Sequence, residues 1–278
     1  MGRRMASIRL STIRVEKPWG RYRLWPGFDD PAPDVAPIGE IWFDAPTGKE
    51  PDLLVKYLFT SERLSIQVHP DDAQARARGL ARGKDEAWVI LAAEPGATIA
   101  LGTVRPVSRD GLRAAALDGS IEALMDWKPV VAGDVIYSPA NTVHAIGAGI
   151  TLIEVQQNVD LTYRLYDYGR PRELHLEEGI AVSDPVPFVV TPIAVEVEPG
   201  RRVLACTDKF TLERWSRGGE RRIRLDANGW LIPVTGSGRI DGSVFAAGQC
   251  WMAEGDVDIS INPGSDILFA SPRPFTLG

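Results

Sequence analysis

Apolar residues come in short runs along this chain, several of them alternating with polar residues, and glycine or proline divides one run from the next. The stretch Leu64, Ser65, Ile66, Gln67, Val68, His69 shows the alternation most cleanly. A period of two is the mark of a β-strand, whose successive side chains point to opposite faces. Ile8 to Val15, Gly39 to Asp44, Leu53 to Phe59, Trp88 to Leu91, Ala97 to Leu101, Val135 to Tyr137 and Ile150 to Gln157 predict further strands, and Lys17 to Tyr22 a turn with aromatic anchors. Trp230 to Val234, Gly236 to Ile240, Gly248 to Met252 and Ile259 to Phe269 repeat the rhythm toward the C-terminus. Helical signals are few. Asp71 caps a short helix that ends by Gly79 to Gly83, and Leu112, Ala115, Ala116, Leu117, Ile121, Leu124 and Met125 predict two short helices broken at Asp118 to Ser120. The prolines and valines from Asp184 to Gly200 read as a linker. The expectation is a mainly β chain of two barrels, residues 1–184 and residues 185–278. The second contains no histidine and is expected to be metal-free.

Composition narrows the partners. With 278 residues, 44% hydrophobic and 24% charged, the chain has the makeup of an ordinary soluble globule with a full core. A formal net charge of −6 argues against nucleic acid, whose phosphates demand a basic face. No run approaches membrane-spanning length, and the basic start from Met1 to Ser7 is followed by no apolar segment, so a soluble, unprocessed protein without a membrane partner is expected. Cys206 and Cys250 are too few for a disulfide framework, which points to a reducing cytoplasm.

The candidate chemistry gathers in the first half. Gln67 and His69 share one strand face, where an amide and an imidazole can ligate one cation; a lone histidine beside proline is more often structural. Glu86, within Gly83 to Leu91, and His144, within Pro129 to Gly147, are the third and fourth candidate ligands. In the latter block Gly133, five residues, Pro139 and a turn leading to His144 resemble the second signature of the cupin superfamily, small jelly-roll barrels that bind a metal inside. Gln67 stands where the first signature has its first histidine.

The segment Leu64 to Asp72, the pairing of Gly83 to Trp88 with Asn141 to Ile146, and the segment Asp160 to Asp167 together resemble type I mannose-6-phosphate isomerases in their short bacterial form, from about Ile13 to Gly278. The long form carries an added helical domain that is absent from this sequence. The resemblance implies two jelly-roll (cupin) barrels and one zinc ion held by Gln67, His69, Glu86 and His144. It also implies that Ser65, Lys84, Glu154 and Arg164 line the pocket, and that the partner is a small sugar phosphate. One departure stands out: the long form's arginine aligns with Asn158, and Arg164 falls where the long form has a lysine.

Moving a proton between C1 and C2 of a sugar through an enediol needs a Lewis acid, a base and an anchor. Glu154 is the expected base, with metal-bound water as its competitor. Lys84 is expected to face the same side as Glu86, and Arg164 to grip the phosphate with its planar guanidinium. Tyr163, Tyr166 and Tyr168 read as packing, and His175 as structural. An isomerase of unphosphorylated mannose and a metal-binding cupin of sugar-binding or regulatory role without turnover are the alternatives. An iron dioxygenase is disfavoured by Gln67, since such sites favour three histidines.

Overall fold

The alternating runs become three antiparallel sheets in a computed structural model of the chain, which describes residues 7–46, 48, 50–189 and 194–272. Six strands, Ser11–Arg21, Ile38–Asp44, Leu53–Phe59, Ile150–Gln157, Glu86–Ala93 and Val135–Ser138, lie side by side in that order. A second sheet of five runs Tyr163–Tyr166, Ile66–Val68, His144–Ile146, Thr98–Thr103, Met125–Pro129. The third, of nine strands, is built from Val195–Glu198 onward, and Ser7–Arg9 pairs with its strand Trp251–Ile261. The chain is mainly β with a cupin-type fold.

Side-chain alternation decides how the sheets stack. In the six-stranded sheet Val55, Tyr57, Val89, Ile153 and Val155 enter a core shared with Leu204, Leu212, Trp230 and Leu268 of the nine-stranded sheet and with Phe210 from one of its turns. The intervening residues Leu58, Trp88, Ile90 and Leu152 face the other way, onto Ile99, Leu101 and Ile146 of the five-stranded sheet. Both faces of this sheet are therefore buried, as in any middle layer. The outer face of the five-stranded sheet, carrying Ile66, Val68, Val143, Ala145 and Leu165, is covered by Leu112 and Ala116, Ile121 and Ile180 from three short helices. Those helices are Arg109–Asp118, Ile121–Leu124 and Leu176–Val182. Because Ile66 and Val68 face the helices, Gln67 between them faces the six-stranded sheet.

Most predicted elements are present, with local differences. Asp71 caps a helix as expected, in a reciprocal capping box with Gln74, but the helix is only Asp72–Arg76. The strand Ser11–Arg21 continues through the expected turn at Lys17, its register with Ile38–Asp44 slipping on either side of Glu16. Met125 opens a strand instead of closing a helix. Within the expected linker Val195–Glu198 forms the edge strand of the nine-stranded sheet, while residues 190–193 fall outside the described residues. No helix among the described residues is long and apolar enough to cross a membrane. Cys206 and Cys250 are free thiols.

Candidate metal centre and substrate cavity

Cross-strand register brings the distant ligand candidates together. Gln67 lies in the strand Ile66–Val68, with His144 opposite it on one side and Arg164 on the other. His69 follows this strand directly, and Glu86 opens the strand Glu86–Ala93 of the facing sheet. The donor atoms of His69, Glu86 and His144 all lie within 4.8 Å of one another, and the three residues are buried. His69 Nε2 is 3.2 Å from Glu86 Oε1, and His144 Nε2 is 3.7 Å from Glu86 Oε2. Donors arranged tetrahedrally around zinc at about 2.1 Å are about 3.4 Å apart, so these spacings match a shared ion.

The donor chemistry fits as well. Glu86 Oε2 is buried without a hydrogen bond, and Oε1 meets only the Lys84 ammonium and the His69 ring, an arrangement that is costly unless a cation takes the remaining lone pairs. The Nδ1 of His144 faces the Thr142 carbonyl at 2.9 Å, so Nδ1 carries the hydrogen and donates it, leaving the Nε2 lone pair directed inward. Gln67 Nε2 is 3.2 Å from His144 Nε2, and Gln67 Oε1 accepts from the Ser65 hydroxyl at 3.1 Å. Turning the amide over brings Oε1 to the inner position, and the Ser65 hydroxyl, both donor and acceptor, satisfies either orientation.

Electrostatics favour a cation here. Lys84 Nζ sits 2.6 Å from Glu86 Oε1 and 3.4 Å from His69 Nε2, so one positive group already rests among the ligand atoms. Burial pushes the Glu86 carboxyl up, but Lys84, His69 and His144 outweigh it and hold the group well below the usual range. Burial, reinforced by the Lys84 charge, pulls His69 down to about 3, and burial lowers His144 too. Both imidazoles are therefore neutral, the state in which they ligate metals.

Above this cluster a cavity opens between the five- and six-stranded sheets. Ser65, Gln67, Lys84, Glu154 and Arg164, all named from sequence, line it. Glu154 is opposite Lys56 on one neighbouring strand and Trp88 on the other. Accordingly Trp88 Nε1 donates to Glu154 Oε1 at 3.0 Å, and Lys56 Nζ lies 3.4 Å from Oε2. Burial, then the charge of Glu86, raises the Glu154 carboxyl, against the opposing pull of Lys56 and Lys84. Arg164, half-buried, forms no ion pair among the described residues; its Nη1 reaches only the Glu173 carbonyl, at 3.5 Å. Asp167 is taken instead by Arg170 and Arg172. Asn158 donates to the Pro51 carbonyl at 2.9 Å and does not line the cavity, whereas Arg164 and Arg172 both do. His175 accepts from the Arg164 N–H at 3.4 Å and lies against Tyr163, apart from the ligand cluster.

Sequence reading overlooked a second line of buried charges on the same wall. Lys17 pairs with Glu40 at 3.2 Å, Trp42 Nε1 donates to Glu40 at 2.5 Å, and Lys56 Nζ lies 4.4 Å from the centre of the Trp42 ring. The signal was present: Lys56 and Glu40 each interrupt an apolar strand, Leu53 to Phe59 and Ile38 to Phe43.

Comparison with known proteins gives this geometry a family. No protein-family model matches the sequence. The chain is 38% identical over 197 residues to the mannose-6-phosphate isomerase of Streptococcus mutans serotype c, an alignment covering 68% of this chain and 62% of that protein. It is 34% identical over 221 residues to the mannose-6-phosphate isomerase ManA of Bacillus subtilis, covering 73% of this chain and 70% of that one. Among solved structures, the mannose 6-phosphate isomerase from Bacillus subtilis superposes with a TM-score of 0.81 at 26% identity, across 96% of this chain and 100% of that chain. With sequence and architecture agreeing over most of its length, the chain belongs to the mannose-6-phosphate isomerase family.

Proposed function

We propose that this chain interconverts mannose 6-phosphate and fructose 6-phosphate through an enediol, as a zinc-dependent aldose–ketose isomerase. The observation that carries the reading is the convergence of His69, Glu86 and His144 at ligand spacing beneath a cavity lined by Glu154, Lys84 and Arg164. Gln67, His69, Glu86 and His144 would hold the zinc, which supplies Lewis acidity toward the sugar oxygens that gain charge in the enediolate.

The chain's own residues supply the rest. Glu154 takes the proton from C2 of the aldose and returns it to C1, and its raised carboxyl suits a base that must also release its proton. Trp88 and Lys56 fix its two oxygens so that the shuttle works over a short distance. Lys84, held on Glu86, keeps that carboxylate ionised. Arg164 takes the phosphate, an anion its guanidinium can bind with two parallel hydrogen bonds. Its lack of a carboxylate partner leaves those donors available. The substrate on this reading is a small sugar phosphate, and two unpaired thiols agree with a cytoplasmic setting.

The test is purified protein, stripped with a chelator, restored with zinc, and offered mannose 6-phosphate beside mannose. Formation of fructose 6-phosphate that disappears on chelation and returns with zinc is the expected result. Turnover of mannose alone moves the assignment to a free-sugar isomerase, and no turnover of either sugar overturns it.

A further inference from the structure

Asp85 lies between the cavity-lining Lys84 and the ligand candidate Glu86, yet its side chain serves neither the cavity nor the ligand cluster. We infer that Asp85, paired with Tyr137, is a positioning residue that fixes the Glu86-bearing segment against the turn that leads into His144 and holds the His69 backbone. The inference rests on the reading that His69, Glu86 and His144 hold a divalent cation.

Alternation along an extended segment sends the Asp85 carboxylate away from Lys84 and Glu86. It is buried, and among the described residues no lysine or arginine lies within ion-pair distance of it. A buried carboxylate without a cation persists only where hydrogen bonds satisfy it. Two do. The Tyr137 hydroxyl donates a short hydrogen bond to Oδ2, and the Ala140 N–H donates to Oδ1 at 3.2 Å.

Ala140 is the reason this matters to the site. Its neighbour Asn141 has φ 70, a left-handed conformation that asparagine tolerates better than most residues. From there the Asn141 N–H donates to the His69 carbonyl at 2.8 Å, and its amide to Gln74 Oε1 at 2.7 Å. The next carbonyl, of Thr142, accepts the His144 Nδ1 hydrogen at 2.9 Å. Within Ala140, Asn141 and Thr142 the turn therefore touches the Glu86 segment, the His69 backbone and the His144 ring. On its other side, Asp85 exchanges two 3.1 Å hydrogen bonds with Gln157, on the strand neighbouring Glu86. Loosening Asp85 lets the segments that carry the three ligands drift relative to one another while the sheets stay paired.

The test uses the whole chain, stripped and reloaded with Co(II), in wild type, Asp85→Asn and Tyr137→Phe. Cobalt d–d absorption reports ligand geometry, and competition with a chromophoric chelator reports affinity; neither depends on turnover. Phe245→Leu, in the interior of the nine-stranded sheet, is the control for stability lost elsewhere. Asparagine cannot accept from both donors, and phenylalanine removes a single hydroxyl while keeping the ring. Both variants are expected to bind cobalt about tenfold more weakly, with an altered d–d band, the size of effect known for groups that orient metal ligands. Phe245→Leu is expected to lower the melting temperature and leave the band unchanged. A wild-type band and wild-type affinity in both site variants overturns the inference and leaves the metal reading standing. A wild-type chain that takes up no cobalt overturns the metal reading and this inference with it.

Discussion

The two faces of the six-stranded sheet bury very different interiors. Toward the five-stranded sheet lie Glu40, Lys56, Lys84, Glu86 and Glu154 together with His69 and His144, all buried. Toward the nine-stranded sheet the interior is mostly apolar side chains with the thiol of Cys250, and Asp85, bonded to Tyr137, is the buried charge of the six-stranded sheet's flank on that side. Within the described residues 194–272, Glu213 is the one buried acidic or basic side chain. It is fully matched, by a two-pronged contact from Arg201 at 2.8 and 3.0 Å and by the Trp215 indole at 2.7 Å. Burying charge is costly, and the cost is tolerated most readily where the charges are used. The nine-stranded sheet closes one side of the middle layer with ordinary apolar packing, and that rigid backing lets the other side carry incompletely satisfied groups such as Glu86.

Substitutions can break this contrast, and the largest effect is expected at Glu86. Glu86→Gln removes the only carboxylate among the four proposed ligands and strands Lys84 beside two imidazoles. Bound metal should be lost and kcat should fall by at least about a thousandfold, read by metal analysis and by fructose 6-phosphate formation. Glu154→Gln should keep its metal and lose about 10²- to 10⁴-fold in kcat, the contribution of a positioned proton carrier. On the other side of the contrast, Glu213→Ala removes the two-pronged partner of Arg201, and with it the acceptor of the Trp215 indole. It should cost about 3 kcal/mol of stability in denaturant unfolding, with kcat per folded molecule unchanged. If Glu213→Ala instead lowered kcat in fully folded protein, the division between a working and a supporting interior would be wrong. Arg164→Ala should raise KM for mannose 6-phosphate about tenfold to a hundredfold and leave binding of the unphosphorylated sugar alone.

The smallest effect concerns pH. Burial pushes the Glu40 carboxyl up, but Lys56, Lys17 and the Trp42 indole outweigh it and hold the group below its usual value of 4.5. A lowered carboxyl contributes stability that is present above that value and is lost as pH falls through the folded-state value. Acid unfolding of wild type should steepen below about pH 4.5. In Glu40→Gln this component should be missing, which a comparison of melting temperatures across the acid range checks.

The sequence disclosed the candidate ligands better than the walls of the cavity. His69, Glu86 and His144 lie within ligand distance of one another, and Gln67 lies 3.2 Å from His144. The strand Ile150–Gln157 has the predicted bounds because apolar residues fill it and turn residues close it. Lys56 and Glu40 were missed because both faces of their sheet are buried, so alternation does not separate core from cavity and a lone charge there reads as noise. The helix Leu176–Val182 was missed for a local reason: His175 at its start makes no side-chain capping bond. Lys17 to Tyr22 reads as a turn because Pro18 and Gly20 usually break strands; at this sheet edge a shift in register accommodates them as far as Arg21.

The central claim is that one divalent ion at His69, Glu86 and His144 makes this cavity an isomerase. The most direct measurement is to titrate the stripped protein with zinc while following conversion of mannose 6-phosphate. Activity that rises linearly and levels off at one equivalent per chain is the predicted result. Full activity in protein shown to be free of metal, or saturation at one equivalent of zinc with no conversion, would contradict it.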